Sequence, residues 1–192
     1  MAKEGKNGVT ANTPKNILFG AGTIHKGLTY ADGTWNFADS LVGATSGGSK
    51  LSIVPEVTKI EVDGALVAAK GLSVKTGETA SMEVNFIELA PDIIKAATFG
   101  EDGTSDDATY ELIQSKAAIE EGDYWENIAF VGQTLEGKNI IAILDNALCT
   151  SGFEQEGKNK EGAIGKYTFE SHAELDSDLD TLPWRIYYPK AA

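Results

Sequence analysis

The sequence predicts a mainly β fold, a sandwich or barrel-like domain with one flanking α-helix. Apolar and polar residues alternate with period two in several runs, and turn pairs such as Asp63-Gly64 separate those runs. A single short stretch combines helix-start and helix-stop residues. At 192 residues the chain is long enough for one substantial core, so we expect a single domain over residues 17–192.

The N-terminal third alternates between polar and extended segments. Residues 1–16 carry no hydrophobic period, so we predict a flexible N-terminal arm. Residues 17–30 are apolar and interrupted by glycines, which favours extended structure up to a turn at residues 31–34. Residues 41–50, LVGATSGGSK, offer little apolar surface, so we predict a loop there.

An antiparallel meander is predicted from residue 51 onward, because two-residue turns cannot join parallel strands. We expect a first strand up to the turn Asp63-Gly64, then a strand over Ala65–Lys75 and a second tight turn at Thr76-Gly77. In the next strand Ala80, Met82, Val84 and Phe86 alternate with polar residues, which predicts one buried and one solvated face.

The helix is predicted at Pro91–Phe99, since proline suits the first helical position, Asp92 suits the N-terminal end and Gly100 can end it. Residues 101–109 read as an acidic loop, and residues 110–121 fit either a strand or a second helix. Further strands are predicted at 124–133, 139–150, 164–175 and 184–188, giving eight or nine in all.

Composition excludes several classes of function. The chain has 16 Lys plus Arg against 29 Asp plus Glu, and its formal net charge of −13 repels polyanions, which disfavours specific nucleic-acid binding. The sequence has no apolar run of the roughly 20 residues that a membrane-spanning helix needs. Its start also lacks an apolar signal core, so we expect a soluble protein made in a cytoplasm. With Cys149 alone, neither an intramolecular disulfide nor a multi-cysteine zinc site can form.

Nucleotide-binding motifs fail at particular positions. Gly20-Ala21-Gly22 lacks the third glycine of a dinucleotide fingerprint, because His25 occupies that position. Residues 43–50 nearly match a phosphate loop, but Lys50 falls one residue late and Leu51 replaces the Ser or Thr that would hold magnesium. A strand-edge turn and a flexible loop are the favoured interpretations.

Catalytic and metal motifs are equally incomplete. His25 and His172 are the two imidazoles, and a Cys149–His172 pair has no supporting local signature. Asp176, Asp178 and Asp180 alternate like the start of a calcium loop, but the turn glycine is missing and the twelfth position is Tyr187. We therefore predict no catalytic residues, no metal and no cofactor, with a Cys149–His172 enzyme as the third hypothesis.

Four segments carry a family resemblance: KNILFGAGTIHKG at 15–27, GATSGGSKLSIVPEVTKIEVDGA at 43–65, KGLSVKTGETASMEVNFIELAP at 70–91 and LPWRIYYP at 182–189. Together they resemble the major tail tube proteins of non-contractile, long-tailed bacteriophages. The resemblance implies a β-sandwich with a flanking helix, assembled as hexameric rings that stack into a hollow tube for genome passage. The implied partners are the chain itself, a tape measure protein and a tail terminator or distal tail protein. The implied location is the virion tail, after assembly in the bacterial host cytoplasm.

The resemblance also assigns a role to the loop at residues 41–55. It is similar to the long loop by which a tail tube subunit reaches the next ring, and the resemblance makes the N-terminal arm at residues 1–16 a second candidate inter-ring segment. A mobile surface loop is the alternative. The candidate inter-ring residues are Thr45, Ser46, Gly47, Gly48, Ser49 and Lys50.

Under the same resemblance the acidity acquires a function. Six copies at −13 carry −78 formal charges per ring, and an acidic lumen would let DNA pass without specific binding. Any of these side chains could instead face the external surface, since periodicity does not tell which sheet lines the bore. The candidate lumen residues are Glu61, Asp63, Glu83, Glu170 and Glu174.

Two alternatives stay open beside the tail tube hypothesis. One is a β-sandwich module that binds a receptor or a glycan through Trp35, Trp125 or Trp184. The other is the inner tube protein of a contractile phage-like particle, which this sequence does not distinguish from a non-contractile one.

Overall fold

A computed structural model of the chain describes residues 8–190. The fold is mainly β, which confirms the predicted fold class. Within the described range there are three short α-helices, α1 (Thr13–Asn16), α2 (Phe37–Ser40) and α3 (Pro91–Thr98), and one 3-10 turn (Glu121–Asp123). The strands are β1 (Leu18–Lys26), β2 (Tyr30–Ala31), β3 (Thr34–Trp35), β4 (Thr45–Lys59), β5 (Ser73–Phe86), β6 (Gly100–Gly103), β7 (Leu112–Ser115), β8 (Trp125–Thr134), β9 (Asn139–Cys149), β10 (Gly165–Ser171) and β11 (Trp184–Tyr187).

One antiparallel sheet organises the molecule, with strand order β1-β8-β9-β10-β5-β4. β9 is shared: its C-terminal part pairs with β10, and its N-terminal part pairs with β11. The sheet curls back on itself, because the Val42 backbone N–H donates to the Ile24 carbonyl at 3.0 Å and Leu41 bridges to His25. A sheet whose last strand approaches its first strand encloses a core, as a barrel does. We therefore call this part of the molecule the barrel.

The barrel interior follows from strand periodicity. In β5, Ala80, Met82, Val84 and Phe86 are buried while the residues between them are not, as the alternation predicts. Tyr167 and Phe169 of β10 meet this row, and the Phe169 ring lies 4.6 Å from the Trp125 ring, centroid to centroid. The other buried members of this core are Ile24, Ile93, Ala96, Ala97, Ile128, Leu144, Ala147 and Cys149.

A second apolar cluster covers the opposite face of β8 and β9. It consists of Leu28, Ala129, Val131, Ile141 and Ile143, against which Trp35 and Phe37 pack. The β2–β3 hairpin that holds Trp35 turns at Asp32-Gly33, where both residues have positive φ, 53° and 81°. A two-residue turn of this hand matches the twist of the strands. β8 and β9 are therefore buried on both sides.

Helix α3 confirms the predicted flanking helix. Pro91 is its first residue, and Asp92 accepts a 2.7 Å salt bridge from Lys26 of β1. That hydrogen bond holds the pKa of Asp92 below its ordinary value of 3.8. The helix buries Ile93, Ala96 and Ala97 in the barrel core, and it ends at Phe99, which takes the left-handed conformation expected of Gly100.

The predicted loop at residues 41–50 is wrong in part, since β4 begins at Thr45 and contains the whole candidate set Thr45–Lys50. The ladder with β5 shifts register between Thr45 and Ser49, where Gly47 and Gly48 have φ of 86° and 83°. These glycines form a bulge rather than a loop, and the Asn85 Nδ2 donates to the Gly48 carbonyl at 3.0 Å. A β-bulge uses the same small residues that a loop does, so composition alone favours the wrong choice.

The predicted meander between residues 51 and 77 is also corrected. Asp63-Gly64 is a turn, but of the predicted strand Ala65–Lys75 only Ser73–Lys75 are strand, as the start of β5. Residues 60–72 form no strand and connect β4 directly to β5. Thr76-Gly77 lies inside β5, at a register shift between the pairs Glu56↔Gly77 and Val57↔Lys75. The predicted turn is thus a second bulge in one long ladder.

The remaining elements depart less from the sequence expectations. The predicted strand over 164–175 ends early, at Ser171, and the acidic segment 101–109 begins as β6. The open choice at 110–121 resolves as β7, which pairs with β6. Of the N-terminal arm, residues 1–7 lie outside the described range, and residues 8–16 include the exposed helical turn α1.

We expect Phe169→Ala to lower the free energy of unfolding by about 3–5 kcal/mol, because it removes a fully buried ring from the centre of the barrel. Phe19→Ala is the matched control, since that ring is 69% exposed and should cost less than about 0.5 kcal/mol. Urea denaturation followed by tryptophan fluorescence measures both. Equal losses for the two variants would contradict the assignment of the core.

Candidate assembly surface

The most unusual surface of the molecule is the outer part of the β4–β5 ladder. β10 pairs with β5 only as far as Glu170↔Ser81, whereas β4 and β5 continue pairing to Lys59↔Ser73. Ala80 is still buried, whereas the first four residues of β5, Ser73–Thr76, are exposed and span roughly 13 Å at about 3.3 Å per residue. We call residues 54–76 the ribbon; all of them are exposed except Leu72, which is half-buried.

The ribbon is ordered by its own hydrogen bonds. The pairs Val57↔Lys75 and Thr58↔Val74 continue the ladder, and the Thr58 and Thr76 hydroxyls lie 3.1 Å apart. Beyond the strands, the Ile60 N–H donates to the Leu72 carbonyl at 2.8 Å. A two-stranded hairpin alone is marginally stable in water, so the ribbon gains its rigidity from the ladder that enters the barrel.

The ribbon presents apolar side chains to solvent. Leu66 is 99% exposed and Val67 is 80% exposed at its outer end. Large apolar side chains that are concentrated on one projecting element, rather than scattered singly, make the ribbon a candidate interaction surface. The others of this kind are Val54, Val57, Ile60, Val62 and Val74.

β4 also supplies a sheet edge. It is the terminal strand of the sheet path, and over Ser49–Lys59 its strand partner within the described residues is β5. Pro55 interrupts this edge, because proline has no N–H to donate to a further strand. The part of the edge from Ser49 to Val54 contains no proline and is able to pair with a strand of another subunit.

The candidate inter-ring residues Thr45–Lys50 lie at the other end of the ladder from the ribbon. Thr45 pairs with Phe86, and Ser49 pairs with Val84. Phe86 and Val84 are core residues. These residues are exposed or half-buried but do not project. The projecting segment is the ribbon, which overlaps the predicted 41–55 region only at Val54 and Pro55, so sequence reasoning missed most of it.

Two of the candidate lumen residues share one sheet face. Glu83 of β5 and Glu170 of β10 point outward from the barrel, and Lys50 and Lys166 lie on the same face. A 2.6 Å hydrogen bond from Lys50 lowers the pKa of Glu83 below its ordinary value of 4.5, and Lys166 acts in the same direction. Acidic and basic side chains therefore balance across this face.

The other candidate lumen residues lie elsewhere. Glu61 and Asp63 belong to the ribbon, and Glu174 lies in the loop after β10. The acidic excess is concentrated in two exposed connections. Residues 101–111 contain five carboxylates and residues 174–180 contain four, and neither segment has a Lys or Arg. Strand alternation, on which the candidates were chosen, does not detect this distribution.

His25 is the buried imidazole of the two. Its Nδ1 lies 2.9 Å from the Ser40 hydroxyl, and its Nε2 lies 2.8 Å from the Thr23 hydroxyl. Because Ser40 Oγ donates to the Asn36 carbonyl at 2.8 Å, the Nδ1–H of a neutral ring donates to Ser40 and Thr23 donates to Nε2. Burial lowers the pKa of His25 below its ordinary value of 6.5. The ring links α2 to β1 as part of a satisfied network.

Cys149 and His172, the pair of the enzyme hypothesis, make their hydrogen bonds elsewhere. The Cys149 thiol is buried 3.6 Å from the Ser151 hydroxyl, and burial raises its pKa, which opposes nucleophilic activation. The His172 Nδ1 donates to the Glu170 carbonyl at 3.0 Å. Asp178 accepts from the Asp180 backbone N–H, and residues 8–190 contain no group of three His, Cys, Asp or Glu placed to hold a metal ion.

The tryptophans of the glycan-binding alternative differ in exposure. Trp125 is buried, and the half-buried Trp184 donates its indole N–H to Glu78 at 3.0 Å. Trp35 borders a groove of about 450 Å³ that also includes the exposed Tyr30 and Tyr187. Both tyrosine rings lie within 5.1 Å of the Trp35 ring, centroid to centroid. Of the three tryptophans, Trp35 is therefore the remaining candidate for glycan binding, and this groove is the candidate site.

Comparison of the chain with protein-family models and with curated proteins found no match. Among the residues that the structure describes, no helix has both the length and the apolar character to cross a membrane.

We expect the free energy of unfolding to decrease as the pH falls from about 7.5 to about 5.5, because the unfolded chain protonates His25 near 6.5 while the folded chain does so only at a lower pH. The variant His25→Gln should lose most of this slope. His172→Gln is the matched control and should retain it. Urea titrations at several pH values give the slopes, and an unchanged slope in His25→Gln would contradict the assignment.

Proposed function

We propose that this chain is a structural subunit that assembles with further copies of itself. The observation that carries the proposal is the ribbon, an ordered projection whose apolar side chains no other part of the described chain covers. Holding such side chains in water forgoes roughly 25 cal/mol for each Å² of apolar surface that contact would bury. Assembly recovers this free energy.

We propose that the contacts between copies are head-to-tail. The ribbon projects at one end of the β4–β5 ladder, and a contact between it and a different surface of the next copy is heterologous. Heterologous contacts give closed rings when the rotation between copies closes, and filaments when it does not. A tube built of stacked rings uses both outcomes, with one interface around the ring and another along the axis.

The specific form that we propose is the tail tube subunit of a long-tailed phage, in hexameric rings that stack into a hollow tube. The resemblance of residues 15–27, 43–65, 70–91 and 182–189 supports this form, and so does the exposed edge of β4. Pairing of that edge with a neighbouring subunit would continue the sheet around the ring. The same proposal implies two kinds of partner besides the chain itself, a tape measure protein and a tail terminator or distal tail protein. It also implies that the protein is located in the virion tail.

For the lumen we propose the outward face of β5 and β10. Its residues are polar and mostly small, including Ser81, Asn85 and Thr168 beside Glu83 and Glu170. A face of this kind contacts DNA phosphates weakly, because each Lys on it is close to a carboxylate. DNA would then pass without specific binding.

We expect the wild-type chain to form rings or tubes in negative-stain electron microscopy as its concentration rises. The double variant Leu66→Asp, Val67→Asp should reduce the sedimenting fraction at least about tenfold, since two charges replace the outermost apolar side chains of the ribbon. The matched control is Leu175→Asp, at a side chain that is 94% exposed in a separate loop. A wild-type chain that stays monomeric at high concentration, also with its tail partners present, would refute the proposal.

We expect Glu83→Lys combined with Glu170→Lys to make the assembled tube retain DNA. The change would leave Lys50 and Lys166 without acidic neighbours on the proposed lumen face. Co-sedimentation of short DNA with tubes, at low and at high salt, measures retention. Asp106→Lys with Glu136→Lys changes the net charge equally at exposed turns and serves as the control. Equal DNA retention by both variants would show that this face does not line the bore.

A further inference from the structure

Three aromatic side chains line the groove beside Trp35, which we call the aromatic groove. Tyr30 of β2 and Trp35 of β3 are cross-strand neighbours, and their ring centroids lie 5.1 Å apart. Tyr187 of β11 meets the Trp35 ring edge-on at 5.0 Å. Trp35 is half-buried, whereas Tyr30 is 59% exposed and Tyr187 is 45% exposed. The aromatic wall of the groove is therefore open to solvent.

The strand register brings a charged pair to the same groove. Asp145 of β9 pairs with Asn127 of β8, and Arg185 of β11 pairs with Ile143, two residues before Asp145. Because residues two apart on a strand share one face, Asp145, Arg185 and Tyr187 all lie on the face that the β2–β3 hairpin covers. There the Arg185 Nη2 donates to the Asp145 Oδ1 at 2.7 Å.

Both charged side chains retain hydrogen-bonding capacity. Within residues 8–190 the Asp145 carboxylate accepts a single hydrogen bond, from Arg185, although a carboxylate has room for several. Arg185 is the one arginine of the chain, and its half-exposed side chain keeps further N–H groups for a ligand. Burial raises the pKa of Asp145 above its ordinary value of 3.8, Arg185 offsets this only in part, and Glu126 adds to it. Further donors to this carboxylate would stabilise its charged form.

The chemistry of the groove matches a neutral sugar. Its volume of about 450 Å³ lies within the roughly 300–1,000 Å³ of small-molecule sites. A pyranose has C–H groups that pack on aromatic rings and hydroxyl groups that both donate and accept. Asp145 accepts and Arg185 donates, so together they are able to hold two adjacent hydroxyl groups.

The same groove disfavours other classes of small ligand. It contains two acidic side chains, Glu126 and Asp145, against the single basic side chain of Arg185, so it repels a phosphate or an acidic sugar. A purely apolar ligand would cover Asp145 and Arg185 without replacing their hydrogen bonds to water, which costs free energy. A neutral ligand with several hydroxyl groups meets neither obstacle.

We propose that the aromatic groove binds a neutral hexopyranose residue of a glycan. The rings of Tyr30, Trp35 and Tyr187 pack against the C–H groups of the sugar, and Asp145 and Arg185 hold its hydroxyl groups. Hydroxyl groups that donate to Asp145 supply the hydrogen bonds that this carboxylate lacks. The binding needs only one copy of the chain, so it adds recognition of a glycan to a structural subunit and does not depend on self-assembly.

The first test applies the fluorescently labelled wild-type chain to a glycan array. The array carries oligosaccharides of glucose, galactose and mannose beside glycans that end in sialic acid. We expect the chain to bind at least one of the neutral classes and to bind the sialylated glycans more weakly, because the groove has an acidic excess. A chain that binds no neutral glycan, or that binds only glycans ending in sialic acid, would overturn the proposal.

Two substitutions of exposed side chains then locate the site. Tyr30→Ala removes a ring of the aromatic wall, and Arg185→Gln removes the charged donor. Each should raise the Kd for the neutral oligosaccharide that gives the strongest array signal at least about tenfold, as measured by isothermal titration calorimetry. The matched controls are Tyr110→Ala, at a ring that is 71% exposed outside the groove, and Lys138→Gln, in the turn between β8 and β9. Both controls should leave the Kd unchanged.

Circular dichroism checks that each variant is folded. An unchanged Kd in both folded groove variants would place the sugar on another surface and overturn the proposal. Neither result affects the proposed self-assembly, because Tyr30 and Arg185 lie outside the ribbon. Equally, a wild-type chain that binds the glycan as a monomer would support this site even where assembly fails.

Discussion

The structure depends on one β ladder, between β4 and β5, that runs from the buried core into solvent. Twelve register pairs join β4 and β5 from Thr45↔Phe86 to Lys59↔Ser73. At one end, β5 buries Met82, Val84 and Phe86 in the barrel core, and this burial fixes the strand register. At the other end the ladder continues past the bulge at Thr76-Gly77 into solvent, where its pairs hold the ribbon in a defined direction. The buried end of the ladder thus anchors the exposed ribbon.

Two bulges in this ladder explain where the sequence could and could not be interpreted. The barrel strands and α3 follow from period-two alternation and from the Pro91 and Asp92 signals, and the structure confirms them. Gly47-Gly48 and Thr76-Gly77 carry the residues of a loop and a turn, yet each interrupts a strand without ending it. The exposure of the ribbon could not be predicted from the sequence. Its apolar residues have the composition of a core strand, and sequence periodicity does not reveal whether another layer of the fold covers a strand.

The distribution of charge changes the meaning of the net value of −13. Carboxylates concentrate in the connections at 101–111 and 174–180, whereas the ribbon is neutral and the outward face of β5 and β10 is balanced. Surfaces for which we propose contact with other copies or with DNA therefore carry little net charge. The acidic connections repel other polyanions. The sequence candidates Glu83 and Glu170 share a face because of the register between β5 and β10, while Glu61, Asp63 and Glu174 do not lie on it.

Backbone hydrogen exchange of the ribbon at two protein concentrations tests the central claim most directly. Residues 57–60 and 73–75 lie in an exposed part of the ladder that no further strand of the described chain covers, so local opening costs less free energy there than in the barrel. The account predicts that the ribbon amides exchange faster than the amides of β8 and β9 in dilute protein. Once assemblies form, exchange of the ribbon amides should slow at least about tenfold, with the amides of β8 and β9 unchanged. Equal exchange of the ribbon amides in dilute and assembled protein would contradict it.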